Sequence, residues 1–397
     1  MNAAQQPPAA GGALEVLRAA LALGCSSFGG PIAHLGFFER AYVQRKRWLS
    51  SDEYAGIVGV CQLLPGPTSS QVGFLVGLHR AGWAGAFAAW FGFTLPSAIL
   101  MYAFAVGAPR FKGPVQGTLL HGLKLAAVAI VAQAVWSMAK NLCPDFRRAG
   151  VATAAAAALL AAPSSSMQFA VLGFGAVAGL ALCRRQDAAP WRVIIATRAR
   201  SARWALAVFA LTLTTLPLLA RRAPHGVIAL ADIFYRSGSL VFGGGHVVLP
   251  LLREALVPGG WISDDAFLAG YGAAQALPGP LFTLAAYLGA ACAPAGAAAF
   301  WAAAALLCIF LPGLLLAVAG LALWAQLAKV PAARAALAGV NAVVVGILAA
   351  ALYRPVLTSS IASARDVAIA LTALVLLLRW RTAPVLVVLG CVGAAFA

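Results

Sequence analysis

Long apolar stretches alternate with short polar segments along most of the chain. Residues 82–108, 118–139 and 297–324 each contain at most one charged residue. Each stretch is about 20 residues or more, the length that an α-helix needs to cross a hydrocarbon core of roughly 30 Å. The pattern therefore predicts membrane-spanning helices.

Four short motifs interrupt the apolar runs with residues that end helices. They are Phe28-Gly29-Gly30-Pro31, Pro65-Gly66-Pro67, Phe242-Gly243-Gly244-Gly245 and Pro278-Gly279-Pro280. A helix broken at membrane depth is tolerated only where it lines a polar cavity or is buried in protein. We expect broken or re-entrant helices here, with about nine full spans and about 9–13 membrane segments in all.

The composition supports a membrane protein. Of 397 residues, 62% are hydrophobic and 10% are charged, and the mean hydropathy is +0.90. Soluble domains are about 25% charged, because their surface must face water. We therefore expect an all-α polytopic protein in the plasma (inner) membrane, with the lipid bilayer as its surroundings.

An internal repeat divides the chain. Residues 48–67 and 261–280 are identical at 9 of 20 positions without a gap, ending in Gln-x-Leu-Pro-Gly-Pro in both copies. The match extends upstream to the two Phe-Gly-Gly motifs and downstream to two Leu-Pro pairs. The sequence predicts a disordered N-terminal tail (1–12), a first transporter repeat (13–183), a basic cytoplasmic linker (184–203) and a second repeat (204–397).

The distribution of charge predicts the orientation of the repeats. The segment before Trp48 carries four basic residues, whereas the equivalent segment before Trp261 has Arg253 as its one basic residue, beside acidic ones. Basic loops lie on the cytoplasmic side, so the repeats are expected to be inverted, as in many secondary transporters. The net charge of +17 is explained in the same way, and no nucleic acid partner is expected.

The broken helices predict an anion site. The N-terminus of a half-helix carries partial positive charge and free N–H donors, and glycine lets a ligand approach the backbone. Neutral polar residues surround the breaks: Ser26, Ser27, Ser69, Ser70, Gln71, Ser239, His246 and Thr283. The candidate binding residues are Gly29, Gly30, Gln62, Pro65, Gly66, Pro67, Thr68, Lys124, Gly243, Gly244, Gln275, Pro278, Gly279, Pro280 and Asn341.

Ionisable residues near the breaks have competing interpretations. Lys124 lies in an apolar run, where it either neutralises part of a dianion or extends to the membrane surface, and the equivalent Asn341 has no charge. Asp52 and Asp265 are expected to be N-caps. His34 and His246 do not align between the repeats, and we expect structural roles for both. The seven cysteines contain no C-x-x-C pair, so we expect no metal or other cofactor.

These motifs resemble the chromate ion transporter family in its long-chain form with two fused repeats. Phe28-Gly29-Gly30-Pro31, Trp48 and residues 62–67 resemble its first repeat, and Phe242-Gly243-Gly244-Gly245-His246, Trp261 and residues 275–280 its second. The resemblance implies export of chromate, driven by the proton-motive force, with sulfate as a similar competitor. The chain departs from the family pattern at Leu125, where proline is common. Leu281 also replaces the hydroxyl of Thr68 in the second repeat.

Other functions remain open at this stage. Sulfate or another tetrahedral oxyanion would fit the same backbone donors, and a passive anion channel could also contain broken helices. A membrane-embedded enzyme would need clustered acids, bases or metal ligands, and no such motif is present, so the chain is not expected to be an enzyme. A homodimer is kept as an open alternative.

Overall fold

A computed structural model describes residues 11–28, 30–107, 114–162, 164–183, 199–242, 247–327 and 330–396. Within these ranges all regular secondary structure is helical, with α-helices and short π and 3₁₀ segments. This confirms the expected all-α class.

The first repeat contains seven α-helices, and a π-helical segment (Glu39–Arg45) extends the second of them. They are α1 (Ala13–Ser26), α2 (Gly30–Phe38), α3 (Ser51–Leu63), α4 (Thr68–Gly107), α5 (Pro114–Leu142), α6 (Phe146–Ala161) and α7 (Ser165–Leu182). The 40-residue α4 is broken near its first third at Ala81 and Gly82. Gly82 has a φ of 61°, a conformation that glycine adopts without strain.

The second repeat follows the same order after one additional helix, α8 (Ala199–Ala220). Its other helices are α9 (Val227–Leu240), α10 (Val248–Leu256), α11 (Asp264–Ala276), α12 (Leu284–Ala291), α13 (Ala298–Leu327), α14 (Pro331–Ala351), α15 (Thr358–Ser360), α16 (Ala364–Arg379) and α17 (Pro384–Phe396). A 3₁₀ turn (Leu281–Thr283) precedes α12. In the repeat alignment α3 corresponds to α11, the two parts of α4 to α12 and α13, and α5 to α14.

Among the described residues, five helical segments are long and apolar enough to cross a membrane. They are Thr68–Gly107, Gly117–Leu142, Arg200–Ala220, Ala298–Leu321 and Pro331–Ser360. Shorter apolar helices accompany them at Met167–Leu182, Leu281–Ala291 and Pro384–Phe396. The chain is thus a multi-pass membrane protein, and the exact number of full spans stays a prediction.

The breaks fall where the sequence predicts them. α1 ends at Ser26 and α2 begins at Gly30, while α3 ends at Leu63 and α4 begins at Thr68. With 13 residues, α3 is about 20 Å long, too short for a hydrocarbon core of roughly 30 Å. The Pro-Gly-Pro turn at its end is therefore expected at membrane depth.

The N-caps differ from the expectation. Ser50 caps α3 through a capping box with Glu53, and Ser263 caps α11 by accepting the N–H of Ala266. Asp52 and Asp265 are not caps, since each lies inside the first turn of its helix. A serine hydroxyl two positions earlier has the geometry to accept from the third helical residue.

The two repeats exchange helices with each other. α14 of the second repeat packs against α6 and α7 of the first, and α5 of the first packs against α16 and α17 of the second. His121 on α5 is 2.8 Å from Asp366 on α16 (Nε2 to Oδ1). These helices form one body, and α1, α4, α9, α12 and α13 pack together as another.

Glycines allow the exchanged helices to approach closely. A Cβ on Gly339 of α14 would overlap the carbonyl of Gly175 on α7, and one on Gly122 of α5 would lie 2.6 Å from the Cα of Val392 on α17. Gly122 and Gly339 are equivalent in the repeats. The two contacts are therefore reciprocal, as expected for repeats related by a two-fold axis.

Residues 1–10 of the predicted tail and 184–198 of the predicted linker lie outside the described residues. The last five residues of the predicted linker, 199–203, form the start of α8.

Candidate functional site

Each Pro-Gly-Pro turn is hydrogen-bonded to the break of the opposite repeat. The N–H of Gly66 donates to the carbonyl of Val241 at 2.7 Å, and the N–H of Gly279 donates to the carbonyl of Ser27 at 2.8 Å. Ser27 and Val241 directly precede the two Phe-Gly-Gly motifs. Breaks that are far apart in sequence therefore meet in pairs, and each pair joins one repeat to the other.

Both turns need glycine. Gly66 and Gly279 have φ values of 123° and 101°, in a region that residues with a Cβ rarely adopt. A Cβ on Gly66 would lie 2.7 Å from the Cα of Gly313, and one on Gly279 would lie 2.8 Å from the Oγ of Ser97. Ser97 and Gly313 follow the equivalent Leu-Pro pairs of α4 and α13, so these contacts are reciprocal as well.

The hydrogen bonds change one expectation about the site. The N–H groups of Gly66 and Gly279 are already donated to carbonyls, so in this conformation they are not free donors for an anion. The prolines on both sides of each glycine lack an N–H, so each turn has no further donor at those positions. The glycines instead join the two repeats.

The remaining candidates lie in different environments. Gln62 is exposed, and Thr68 is buried at the start of α4. Gln275 is partly buried and hydrogen-bonds the hydroxyl of Tyr271. Asn341 is partly exposed. Gly30 begins α2 with a φ of 77°, whereas Gly29, Gly243 and Gly244, like His246, lie outside the described residues.

Lys124 is not a free charge in the structure. Its Nζ lies 2.7 Å from Oδ1 of Asp265, in the first turn of α11. The side chain of Lys124 is 11% exposed and that of Asp265 is 68% exposed. The ion pair therefore joins α5 to the outer end of α11, at the edge of the protein interior, and sequence analysis missed it because 141 residues separate the partners.

A cluster of buried polar side chains surrounds the break of the first repeat. Nδ1 of His34 lies 3.3 Å from Oγ of Ser69, and Oγ of Ser97 donates to the carbonyl of Thr94 at 3.3 Å. Nε2 of His34 has no hydrogen-bond partner, and the expected structural role of this histidine stays a prediction. Thr94 and Ser97 were not among the predicted site residues.

The side chain of Gln71 links the same region to the second repeat. Its Nε2 donates to the carbonyls of Pro65 and Gly313, both at 2.9 Å. Gln71 is fully buried. It therefore holds the Pro-Gly-Pro turn of the first repeat against α13.

The equivalent helices α3 and α11 are packed differently. α11 lies against α5 and α17, whereas α3 makes no comparable contact with the equivalent helices α14 and α7. Ala55 and Gln62 on α3 are exposed, while Leu268, the counterpart of Ala55, is fully buried. The interface is thus closed at α11 and open at α3.

Within the described ranges, no group of three His, Cys, Asp or Glu side chains is placed to hold a metal ion. The chemistry of the site rests on hydroxyl, amide, imidazole and backbone groups.

Comparison with known proteins gives consistent matches. The sequence model of the family described as "Chromate transporter" matches residues 14–180 and 228–396, one match for each repeat. The chain is 29% identical over 282 residues to a chromate transport protein of Pseudomonas aeruginosa, covering 70% of this chain and 67% of that protein. It is 26% identical over 377 residues to a chromate transport protein of Cupriavidus metallidurans, covering 91% and 86%. No solved structure matches the chain.

Proposed function

The chain belongs to the chromate transporter family, and on this premise we propose that it is a secondary transporter that exports chromate from the cytoplasm. The match of both repeats to the family carries the proposal. We further propose that it resides in the plasma (inner) membrane, that the proton-motive force drives export, and that export confers resistance to chromate.

The substrate site is proposed to lie where the four breaks meet. α4 and the 3₁₀ turn before α12 both begin directly after a Pro-Gly-Pro turn, so their N-termini direct partial positive charge towards these breaks. The residues predicted from sequence remain candidates here. Gly66 and Gly279 line the site and connect the two repeats, but their N–H groups do not donate to the substrate. The hydroxyl of Thr68 is the side-chain donor nearest the first turn in sequence.

Alternating access follows from the unequal packing of α3 and α11. The basic loop before Trp48 is expected on the cytoplasmic side, so α3 starts at the cytoplasm and α11 starts at the opposite side. The exposed face of α3 then opens towards the cytoplasm, and the contacts of α11 with α5 and α17 close the outside. Transport exchanges the two arrangements by moving one body against the other.

The Lys124–Asp265 pair is proposed to latch the outer side in this inward-open state. In the opposite state α3 would close against α14, where Asp52 would face the uncharged Asn341. The two closed states would then differ by one ion pair. A chromate dianion that reaches Lys124 competes with Asp265 and favours release of the latch.

The decisive experiment measures chromate accumulation in bacteria with and without the chain, before and after an uncoupler collapses the proton gradient. We expect lower accumulation with the chain and no difference after uncoupling. Equal accumulation in both strains at equal membrane abundance would contradict the proposed export.

Everted membrane vesicles separate the proposal from its alternatives. Energised vesicles should accumulate chromate beyond the level that the membrane potential and the pH gradient allow for a passively distributed anion, which a channel cannot do. Sulfate added in tenfold excess should compete only partly, whereas displacement by equimolar sulfate would overturn the assignment of chromate as the preferred cargo.

A further inference from the structure

The first repeat contains buried hydrogen-bonding atoms that have no partner. Among them are Oγ of Ser27, Nε2 of His34, Oγ of Ser70, Oε1 of Gln71 and Oγ1 of Thr94. These side chains are at most 2% exposed. An unpaired buried polar atom costs about 1–3 kcal/mol, and such atoms are rare in native proteins. Their concentration in one place needs an explanation.

Contacts connect these side chains around the Pro-Gly-Pro turn of the second repeat. The carbonyl of Ser27 accepts the N–H of Gly279, and a Cβ on Gly279 would meet both Ser97 and the carbonyl of Phe93, which precedes Thr94. The ring of His34 lies edge-on to Phe93, with 5.3 Å between the ring centroids. Nδ1 of His34 also contacts Ser69, the neighbour of Ser70.

The second repeat provides a control for the structural explanation. At the positions equivalent to Ser27, His34, Ser69, Gln71 and Thr94 it has apolar residues: Val241, Val248, Phe282, Leu284 and Phe310. All five are buried, each at 1% exposure or less. The same packing is therefore achieved with apolar side chains, so the fold does not require the polar ones.

The one shared hydroxyl position shows the same difference. Ser70 corresponds to Thr283, and Oγ1 of Thr283 donates to the carbonyl of Pro280 at 2.9 Å. Oγ of Ser70 has no partner. The hydroxyl of Thr283 thus stabilises the turn of its own repeat, whereas the hydroxyl of Ser70 remains available to bind a ligand.

We propose that the tetrahedral oxyanion binds on one side of the two-fold axis, to the side chains of Ser27, His34, Ser70 and Thr94, against the turn formed by Pro278, Gly279 and Pro280. Hydroxyl and imidazole N–H groups donate to oxyanion oxygens, and a desolvated site strengthens such bonds. Gln71 is excluded as a ligand because its unpaired atom is an acceptor. The inference rests on the proposed transport function and assigns its substrate site.

The test measures thermal unfolding of the purified full chain in lipid nanodiscs, with and without chromate, sulfate or phosphate. Ser70→Ala and Thr94→Val should each weaken binding of the stabilising oxyanion about tenfold or more, the loss of one hydrogen bond to a charged group. Because each change removes an unpaired buried hydroxyl, the unfolding midpoint without ligand should stay equal or rise.

Tyr287→Phe is the control. It removes a satisfied hydroxyl of the second repeat, which donates to the carbonyl of Ala266 at 2.9 Å and not to the Pro-Gly-Pro turn. It should therefore lower the midpoint without ligand and leave oxyanion affinity unchanged. A merely structural role for Ser70 and Thr94 predicts the opposite pattern, a lower midpoint with unaltered affinity, and that result would overturn the one-sided site.

The wild-type measurement separates the two levels of the proposal. Stabilisation by sulfate or phosphate but not by chromate would contradict the proposed cargo, and the site would then be judged by the affinity of the variants for that other oxyanion. If no oxyanion stabilises the unmodified chain, the site and the proposed function both fail.

Discussion

Neutralising Asp265 should open the outer side of the protein. Asp265→Asn removes the partner of Lys124, whose Nζ is 2.7 Å from the carboxylate. Lys124 would remain 11% exposed without a counter-ion, and it would regain hydration only if α11 moved away from α5. The variant should therefore populate the outward-open arrangement.

The exposure of the two side chains sets the size of the effect. Asp265 is 68% exposed, and a surface ion pair contributes about 0.2–1 kcal/mol. Breaking a fully buried pair costs about 3–5 kcal/mol. For Lys124 left unpaired at the edge of the interior we expect about 1.5–2 kcal/mol, a shift of roughly 10- to 30-fold in the equilibrium. Lys124→Gln leaves an exposed carboxylate and should shift it by about fivefold at most.

Accessibility of a single thiol reports the shift. In a chain whose seven native cysteines are replaced, Leu268→Cys lies on the buried face of α11 and should react slowly with a membrane-impermeant maleimide. Adding Asp265→Asn should raise the labelling rate about tenfold or more. Asp264→Asn is the matched control, because Asp264 pairs with Arg253 at 2.7 Å and does not join α11 to α5. An equal labelling rate in the Asp265→Asn and Asp264→Asn chains would refute the latch.

Three further outcomes are expected. Gly279→Ala should abolish transport and lower the unfolding midpoint, whereas Gly260→Ala, also at positive φ but with nothing within 4 Å of its Cβ, should retain transport; equal activity of the two would contradict the central joint. Gly339→Val should reduce membrane abundance in immunoblots, because its side chain cannot fit against α7, and normal abundance would argue against the exchange of helices. Lys124→Ala and Gln62→Ala should each reduce chromate export at unchanged abundance, and export at the unmutated level would remove both from the pathway.

The sequence predicts the local features of this fold well. Glycine and proline have strong backbone preferences of their own, so the described helices end and begin beside all four motifs. The two matches to the family model confirm the repeat, which the sequence shows as matching residues at a nearly constant offset. The N-caps of α3 and α11 were assigned wrongly because a serine and an aspartate occur together, and both residue types favour that position.

Contacts between the repeats could not be predicted from one sequence. Two examples are the hydrogen bond from Gly66 to Val241 and the ion pair of Lys124 with Asp265. Each joins residues that are far apart in the chain, and the local sequence around them contains no signal that the pair forms. For the same reason the sequence predicted free N–H donors at Gly66 and Gly279, whereas in the structure both N–H groups donate to carbonyls of the protein. The binding role of the remaining site residues stays a prediction.

The unequal chemistry of the repeats was partly visible in the sequence. The replacement of Thr68 by Leu281 is one example of a wider difference. Several polar residues of the first repeat correspond to apolar residues at the equivalent positions of the second. Comparing the repeats for polar against apolar character, rather than for glycine and charge, would have identified Thr94 and His34 as candidates.

In the proposed mechanism, symmetry and asymmetry serve different steps. Alternating access requires two arrangements of nearly equal free energy, which equivalent joints such as Gly66–Val241 and Gly279–Ser27 supply, because exchanging the conformations of the repeats preserves the same bonds. Binding has no such requirement, since one substrate occupies one site in both arrangements. The polar side chains confined to the first repeat would move together with one body and would be accessible first from one side of the membrane and then from the other. A single set of donors could therefore accept the anion from the cytoplasm and release it outside.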